Sequence, residues 1–457
     1  MPTYTTLPLL ILIVMLWRWT RGNVLAIVAF TAIFNAASAL NLGSLGIAPW
    51  LFSLAICLPL KAVTIGVRWH VTRGINRPAL NLVLAFIVYA GLSGVLLPII
   101  YSGVRVSRLM EMVPLSLGMA NVSQLCYLAA AAAVFFLAVT STSKELDVVM
   151  DWYVTGCIVA GVLAVYQLAN AVLHVPYPSE VFYSNPAHTI FSAYKIGGLW
   201  RLNSTFTEAS DMAGSLIGGL GVLVWEMMVR PPRFWRVASA GLLLVVIVMS
   251  LSTTGYLCLA LMFVVAGAVS LQRLFTKGEV GHRPALVALV FLLVSVTGLT
   301  VSTTARTSVM GVMSMVVLDK QQTDSYRSRT ESHGDALQTL EDTNYMGAGW
   351  GSTRASGAGY TLLASVGIFG FALFCAGCAA MYLPLLRRKR GWPDQGDLLQ
   401  RSLFAMLLLL AGMMIAGSEP IAPMLWILFG TAVVAAGPMR EVRQVALRRD
   451  ARRLVRV

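Results

Sequence analysis

Two short stretches gather most of the residues able to do chemistry in an otherwise apolar chain. The first reads Trp200-Arg-Leu-Asn-Ser-Thr-Phe-Thr-Glu-Ala-Ser-Asp-Met-Ala-Gly214 and places Arg201 upstream of Glu208 and Asp211. Glu208 and Asp211 are three apart, so they share a face at the start of a helix. Ser210 or Asp211 would cap that helix, and both acids would complement its dipole. The second stretch holds Arg327, Arg329, Glu331, His333 and Asp335. On a helix Arg329 and His333 face one way and Arg327 another. Guanidinium groups bind oxyanions through a planar fork, and a carboxylate or imidazole exchanges protons with an attacking hydroxyl. The same residues also fit plain structural roles, as a capped helix start and a solvated helix face. A third stretch, Gly347-Ala-Gly-Trp-Gly-Ser-Thr-Arg354, is followed by Leu363-Ala-Ser-Val-Gly-Ile-Phe-Gly370. No Lys-Ser/Thr pair follows the glycines and no strand precedes them, so this is not a phosphate-cradling P-loop. The glycines let a loop turn tightly onto its neighbours.

The elements that carry these stretches are membrane spans. The chain is 57% hydrophobic and 12% charged, with a mean hydropathy of +0.75. A soluble domain carries about 25% charged residues, so a soluble enzyme, a disordered chain and a disulfide scaffold are all excluded. Apolar segments recur at 5–17, 22–40, 43–66, 79–101, 122–141, 149–173, 210–228, 234–251, 254–272, 284–303, 358–386, 402–417 and 420–438. Most are long enough to cross about 30 Å of hydrocarbon. The expectation is an all-α, polytopic membrane bundle of about 12–13 transmembrane helices. It forms one domain over 1–457, without internal repeats. Pro8 interrupts the first segment; if that segment lies in the interface, the count is twelve. It lacks the basic start and small-residue cleavage site of a signal peptide.

Charge sets the orientation. Connectors on one side hold 25 basic and 9 acidic residues, against 9 and 11 on the other. Lys and Arg stay cytoplasmic during insertion, so the C-terminus is expected in the cytoplasm and the candidate residues outside. The net charge of +14 therefore encodes topology and attraction to membrane lipid. It does not mark nucleic-acid binding, since no basic stripe is interleaved with exposed aromatics. Two outer connectors are long: a smaller loop at 174–203, and the most polar stretch, 304–357. Within the latter, Ala336, Leu337 and Leu340 recur at helical spacing and predict a short amphipathic helix lying on the bundle. Cys375 and Cys378 form a C-x-x-C inside a span with no second pair or neighbouring His, which fits helix packing rather than metal binding.

In order along the chain, Arg201-x-x-x-Thr-Phe-x-Glu-x-Ser210, Leu251-Ser-Thr-Thr-Gly255, an outer loop with paired arginines, Gly-x-Gly-x-Gly-Ser and Gly-Ile-x-Gly form a set. Over about 200–370 it resembles the bacterial O-antigen polymerase and O-antigen ligase superfamily, which includes exopolysaccharide polymerases. The resemblance implies a metal-independent, cofactor-free glycosyltransferase of the inner membrane. Such an enzyme moves an undecaprenyl-diphosphate-linked glycan onto an acceptor glycan at the periplasmic face. It implies Arg201, Arg327 and Arg329 on the diphosphate, and Glu208 as the leading base, followed by His333. Asp211, Asp335 and Arg354 are secondary candidates. A chain-length regulator or a translocase is the protein partner it suggests. Ligases of the superfamily carry a His-Asn pair where this chain has Ser356-Gly357, which favours a polymerase over transfer of glycan to lipid or protein. A membrane transporter is the reading from a different class; it would show paired broken spans and mid-depth charges.

Overall fold

The computed structural model describes residues 1–64, 66, 75–108, 111–190, 194–196, 199–231, 233–277, 324–386, 395–416 and 421–436. The expected span 284–303, the first part of the 304–357 loop with Arg306, the acid Glu419 and the basic tail 440–456 lie outside the described residues. Among those described, the regular secondary structure is helical apart from three two-stranded antiparallel hairpins. The helices are α1 (Thr6–Trp19), α2 (Val24–Thr31), α3 (Pro49–Thr64), α4 (Arg77–Ile100), α5 (Met119–Thr140), α6 (Ser143–Leu173), α7 (Ser179–Phe182), α8 (Ala209–Val229), α9 (Phe234–Met249) and α10 (Thr253–Lys277). They continue with α11 (Asp324–Asp342), α12 (Ala358–Leu386), α13 (Gln395–Ala416) and α14 (Pro423–Ala435). The hairpins pair β1 (Leu40–Leu42) with β2 (Leu45–Ile47), β3 (Arg105–Arg108) with β4 (Glu111–Pro114), and β5 (Tyr194–Ile196) with β6 (Leu199–Arg201).

Seven helices, α4, α5, α6, α8, α10, α12 and α13, are long and apolar enough to cross a membrane. Shorter apolar helices, α1, α3, α9 and α14, pack with them. The protein is a multi-pass helical membrane protein. Pro8 does not interrupt the first segment: it lies in the first turn of α1, where its missing N–H has no helical partner to lose. The segment 22–40 departs from the expected span. Helix α2 ends at Thr31, and the next residues make tertiary bonds instead. Ala36 N–H donates to the Thr205 carbonyl at 3.0 Å, and Ser38 N–H to Ser184 Oγ at 2.9 Å. Those partners satisfy the backbone without helix, and hydropathy carries no trace of them.

Helix α8 is the hub, packed among α6, α9, α10 and α13. In lipid, helices gain nothing from excluding water between them, so close packing through small residues drives their association. Gly214 and Gly412 bring α8 and α13 backbone to backbone: a Cβ on Gly412 would lie 2.8 Å from Gly214 Cα. On another face a Cβ on Gly219 would meet Cys157 Sγ of α6 at 2.5 Å.

At one end of this hub sits a network of charges. Arg401 donates to Glu226 at 2.5 Å and to Asp147 at 2.6 Å, and Arg236 Nε lies 3.0 Å from the other Glu226 oxygen. Glu226 and Arg401 are buried. The capping box of α6 is at the same end: Glu145 N–H donates to Thr142 Oγ1, and Thr142 N–H to Glu145 Oε2. The candidate residues of the sequence lie at the opposite end, at the start of α8 and the finish of α13.

Helix α12 is broken. Gly367 has φ +66° and ψ −174° inside it, a conformation open only to glycine. The glycine loop docks into the break: Ala348 N–H donates to Ala364 O and Gly349 N–H to Ser365 O, both at 2.8 Å, while Ile368 N–H donates to Tyr345 O at 3.1 Å. The loop therefore takes carbonyls that the break frees and supplies one in return. As the glycine spacing predicts, the loop turns tightly onto the bundle, with Gly347, Gly349 and Gly351 all at positive φ.

Candidate functional site

The site begins with a backbone segment that is neither helix nor strand yet is buried. After β6, residues 202–207 enter the bundle, with Leu202, Asn203, Ser204, Thr205 and Phe206 excluded from solvent. Irregular backbone at membrane depth persists only when protein satisfies its polar groups. Here Gln167, an amide inside α6, accepts from Asn203 N–H (3.1 Å) and Ser204 N–H (2.9 Å). Its own amide donates to Asn203 Oδ1 at 2.7 Å. Ser204 Oγ donates to Ala160 O, Thr205 Oγ1 to Ile33 O, and Tyr183 OH to Ser204 O. Burial pushes the Tyr183 phenol up to about 12 and raises that of its neighbour Tyr177. The segment is thus a polar plug anchored in α6 and in the chain after α2.

The plug fixes a candidate at each edge. Arg201 Nε donates to Ser250 O, at the end of α9, at 3.2 Å, and Leu202 N–H donates to Met249 O. This joins Arg201 to the α9–α10 turn that carries Leu251-Ser-Thr-Thr-Gly255. At the other edge Glu208 is the N-cap residue of α8 without a side-chain capping bond. The expected caps do other work: Ser210 Oγ donates to Glu208 Oε2 at 2.8 Å, and Asp211 accepts from Thr207 Oγ1 at 2.7 Å.

Helix α11 brings the second cluster to the first. Arg329 Nη1 donates to Ile415 O, at the end of α13, at 3.2 Å, and its Nη2 lies 3.9 Å from Glu208 Oε2. The close approach of Gly214 and Gly412 explains why one guanidinium reaches both α8 and α13. The Glu208 side chain is 36% exposed and that of Arg329 23%. An ion pair this open contributes about 1 kcal/mol or less; it orients the groups more than it holds the fold.

One turn along α11, His333 Nε2 lies 2.7 Å from Ser356 O, and its ring stacks on Tyr360 with centroids 3.9 Å apart at 12°. A carbonyl only accepts, so Nε2 carries the hydrogen and Nδ1 holds the lone pair of the neutral ring. Gly357, at φ +94°, lets this loop lie against α13: a Cβ there would sit 2.6 Å from Met414 O. Ser356, in the loop before α12, is therefore held by a histidine from a different element.

The structure brings Glu208, Arg329 and His333 to one end of the bundle, with Asp211 in the first turn beside Glu208. Arg327 is exposed on another face of α11, as the spacing predicts. Asp335 is half-buried and its backbone carbonyl accepts from Thr339. Arg354 lies two residues before Ser356, which holds His333, and its backbone N–H donates to Ser107 O of β3 at 3.2 Å. Of the amphipathic helix, Ala336 and Leu340 face the protein while Leu337 is 44% exposed. Sequence reasoning missed Gln167 and Asn203. The available signal was Gln167 itself, an amide in an apolar span that demands a partner. No protein-family model matches the chain, and no curated protein sequence matches it.

Proposed function

We propose that the protein is a polysaccharide polymerase of the bacterial inner membrane, transferring undecaprenyl-diphosphate-linked glycan repeat units onto an acceptor sugar at the periplasmic face. The observation that supports this reading is the approach of Arg329 to Glu208, from two distant stretches of the chain, at one end of an apolar bundle, with His333 one turn further along the helix of Arg329. In the proposed step the acceptor hydroxyl oxygen attacks the anomeric carbon. The bond from that carbon to the diphosphate oxygen breaks, and the lipid diphosphate leaves with the electron pair. The hydroxyl proton passes to Glu208 or to His333 Nδ1. Arg329 neutralises the departing diphosphate through bidentate contacts, and Arg201 and the exposed Arg327 are the further candidates for that role. Each such contact is worth roughly a hundredfold or more in rate when it acts in the transition state.

Deleting the gene in its host and resolving surface glycans and lipid-linked intermediates by size tests this reading. Single repeat units without long chains are expected, and Arg201→Ala should fail to restore chain length while still inserting. Full-length chains stranded on the lipid carrier would assign a ligase instead. The break in α12 at Gly367 favours one further reading, a lipid-linked-glycan transporter, because interrupted helices line transport sites. Against it, α12 is filled at its break by the glycine loop, and Glu226 is bound to Arg401 and Arg236 rather than poised to carry a proton. Unchanged glycans in the deletion strain would overturn the polymerase.

A further inference from the structure

A second basic site is built from residues other than Glu208 and Arg329. A cavity of about 180 Å³ opens beside the start of α5, the glycine loop and the first half of α12. Its lining includes Arg108, Gln124, Trp350, Thr353, Arg354 and Thr361. No aspartate or glutamate is among the described residues that line it. The two arginines come from stretches far apart in sequence that are stitched side by side. Thr353 Oγ1 donates to Ser107 O at 3.0 Å, Arg354 N–H to the same carbonyl at 3.2 Å, and Arg108 Nε to Ser352 O at 3.0 Å. Arg108 Nη2 is buried without a hydrogen-bond partner. A buried guanidinium N–H left unmatched is costly, so a fixed arginine with donors to give, beside a second arginine and hydroxyls, is arranged for an anion. The floor is rigid: Trp350 is buried, its indole N–H donates to Gln124 O at 3.2 Å, and Asn121 donates to Trp350 O and Ser352 Oγ. Size narrows the class. Pockets for drug-sized ligands start at roughly 300 Å³, so this cavity suits a headgroup and not a sugar chain.

We propose that the Arg108–Arg354 cavity is a binding site for a phosphate-class oxyanion, carried either by a phospholipid headgroup or by a glycan-linked diphosphate. It is distinct from the Glu208–Arg329 cluster and stands whatever reaction that cluster performs. Purified full-length protein carrying Arg201→Gln, Arg327→Gln and Arg329→Gln, in phosphatidylcholine nanodiscs, is titrated calorimetrically with inorganic pyrophosphate, so that the other proposed diphosphate ligands are removed and this site is read. Saturable binding is expected, weakened about ten- to hundredfold by Arg354→Gln or Arg108→Gln and less by Arg108→Lys. Arg354 is exposed, so its variant keeps the test open if Arg108→Gln fails to fold. Exchange of phosphatidylcholine for phosphatidylglycerol separates the sources. Suppression of pyrophosphate binding that depends on Arg354 supports the site with a lipid headgroup as occupant, and undiminished binding supports it with a glycan-borne phosphate. No binding, or binding indifferent to both arginine substitutions, overturns the proposal.

Discussion

Glu226→Gln tests whether the buried charges at the far end of α8 are balanced as a set. Asp147, Glu226, Arg236 and Arg401 sum to zero, and Glu226 stands between the two arginines, 2.5 Å from Arg401 and 3.0 Å from Arg236. Neutralising it leaves Arg401 leaning on Asp147 alone and Arg236 on nothing among these four. Removing one member of a buried pair costs about 3–5 kcal/mol, because the survivor stays desolvated. Asp147 is different: its side chain is 52% exposed, water can take its place, and Asp147→Asn should cost about 1 kcal/mol or less. Equilibrium unfolding in mixed micelles of rising dodecyl sulfate content measures both, with fluorescence of Trp225, packed on Phe404 beside the network, as a local reporter. The double variant Glu226→Gln/Arg236→Gln restores balance by leaving Arg401 with Asp147. It should be less destabilised than the sum of its single variants by at least about 1 kcal/mol, a coupling within the usual range for residues in one network. The proposed transfer activity per folded molecule should not change, since the network lies at the opposite end from Glu208. Equal losses for Glu226→Gln and Asp147→Asn, or strict additivity in the double variant, would refute the reasoning.

Two other outcomes follow from local geometry. Gly367→Ala places a Cβ 2.4 Å from Tyr345 O and Met346 C at a φ/ψ only glycine adopts; strain of about 1–3 kcal/mol and the overlap should together lower thermal stability and detach the glycine loop, read as faster proteolysis between 343 and 357. The Tyr183 phenol, held at about 12 against an ordinary 10.0, loses no stabilisation below pH 10; between about pH 10 and 12 the unfolded chain ionises first and stability falls, so Tyr183→Phe should flatten that alkaline limb in a pH-resolved melting series.

The architecture was legible because lipid leaves the chain few choices: long apolar runs become helices, and α4, α5, α6, α8, α10, α12 and α13 fall where hydropathy places them. Arg329 and His333 could be assigned to one face from their spacing, and Arg327 to another. What sequence hid depends on partners distant along the chain. The end of α2 at Thr31 is set by Thr205 and Ser184, and the break in α12 by a loop twenty residues earlier. Neither changes the hydropathy of its own segment. Ser210 and Asp211 illustrate the same limit: both types cap helices, yet one serves Glu208 and the other binds Thr207. The juxtaposition of Arg108 and Arg354 is hidden in the same way, because it depends on bonds to Ser107 O from Thr353 Oγ1 and from the Arg354 N–H.

The polar plug carries a consequence for biogenesis. Its hydrogen bonds come from Ile33 and Ala36 after α2, Ala160 and Gln167 in α6, and Met249 in α9. Met249 is synthesised after the plug, so at least one further span must be inserted before all the plug's bonds can close. Until then the Leu202 amide would lack its Met249 partner and Arg201 its Ser250 partner, so Arg201 would not be fixed at the edge of the plug. The geometry of the site is therefore a late product of insertion. A translocation intermediate that stalls before α9 holds Arg201 and Glu208, but neither the α9 carbonyls that fix Arg201 nor the Arg329 and His333 of α11.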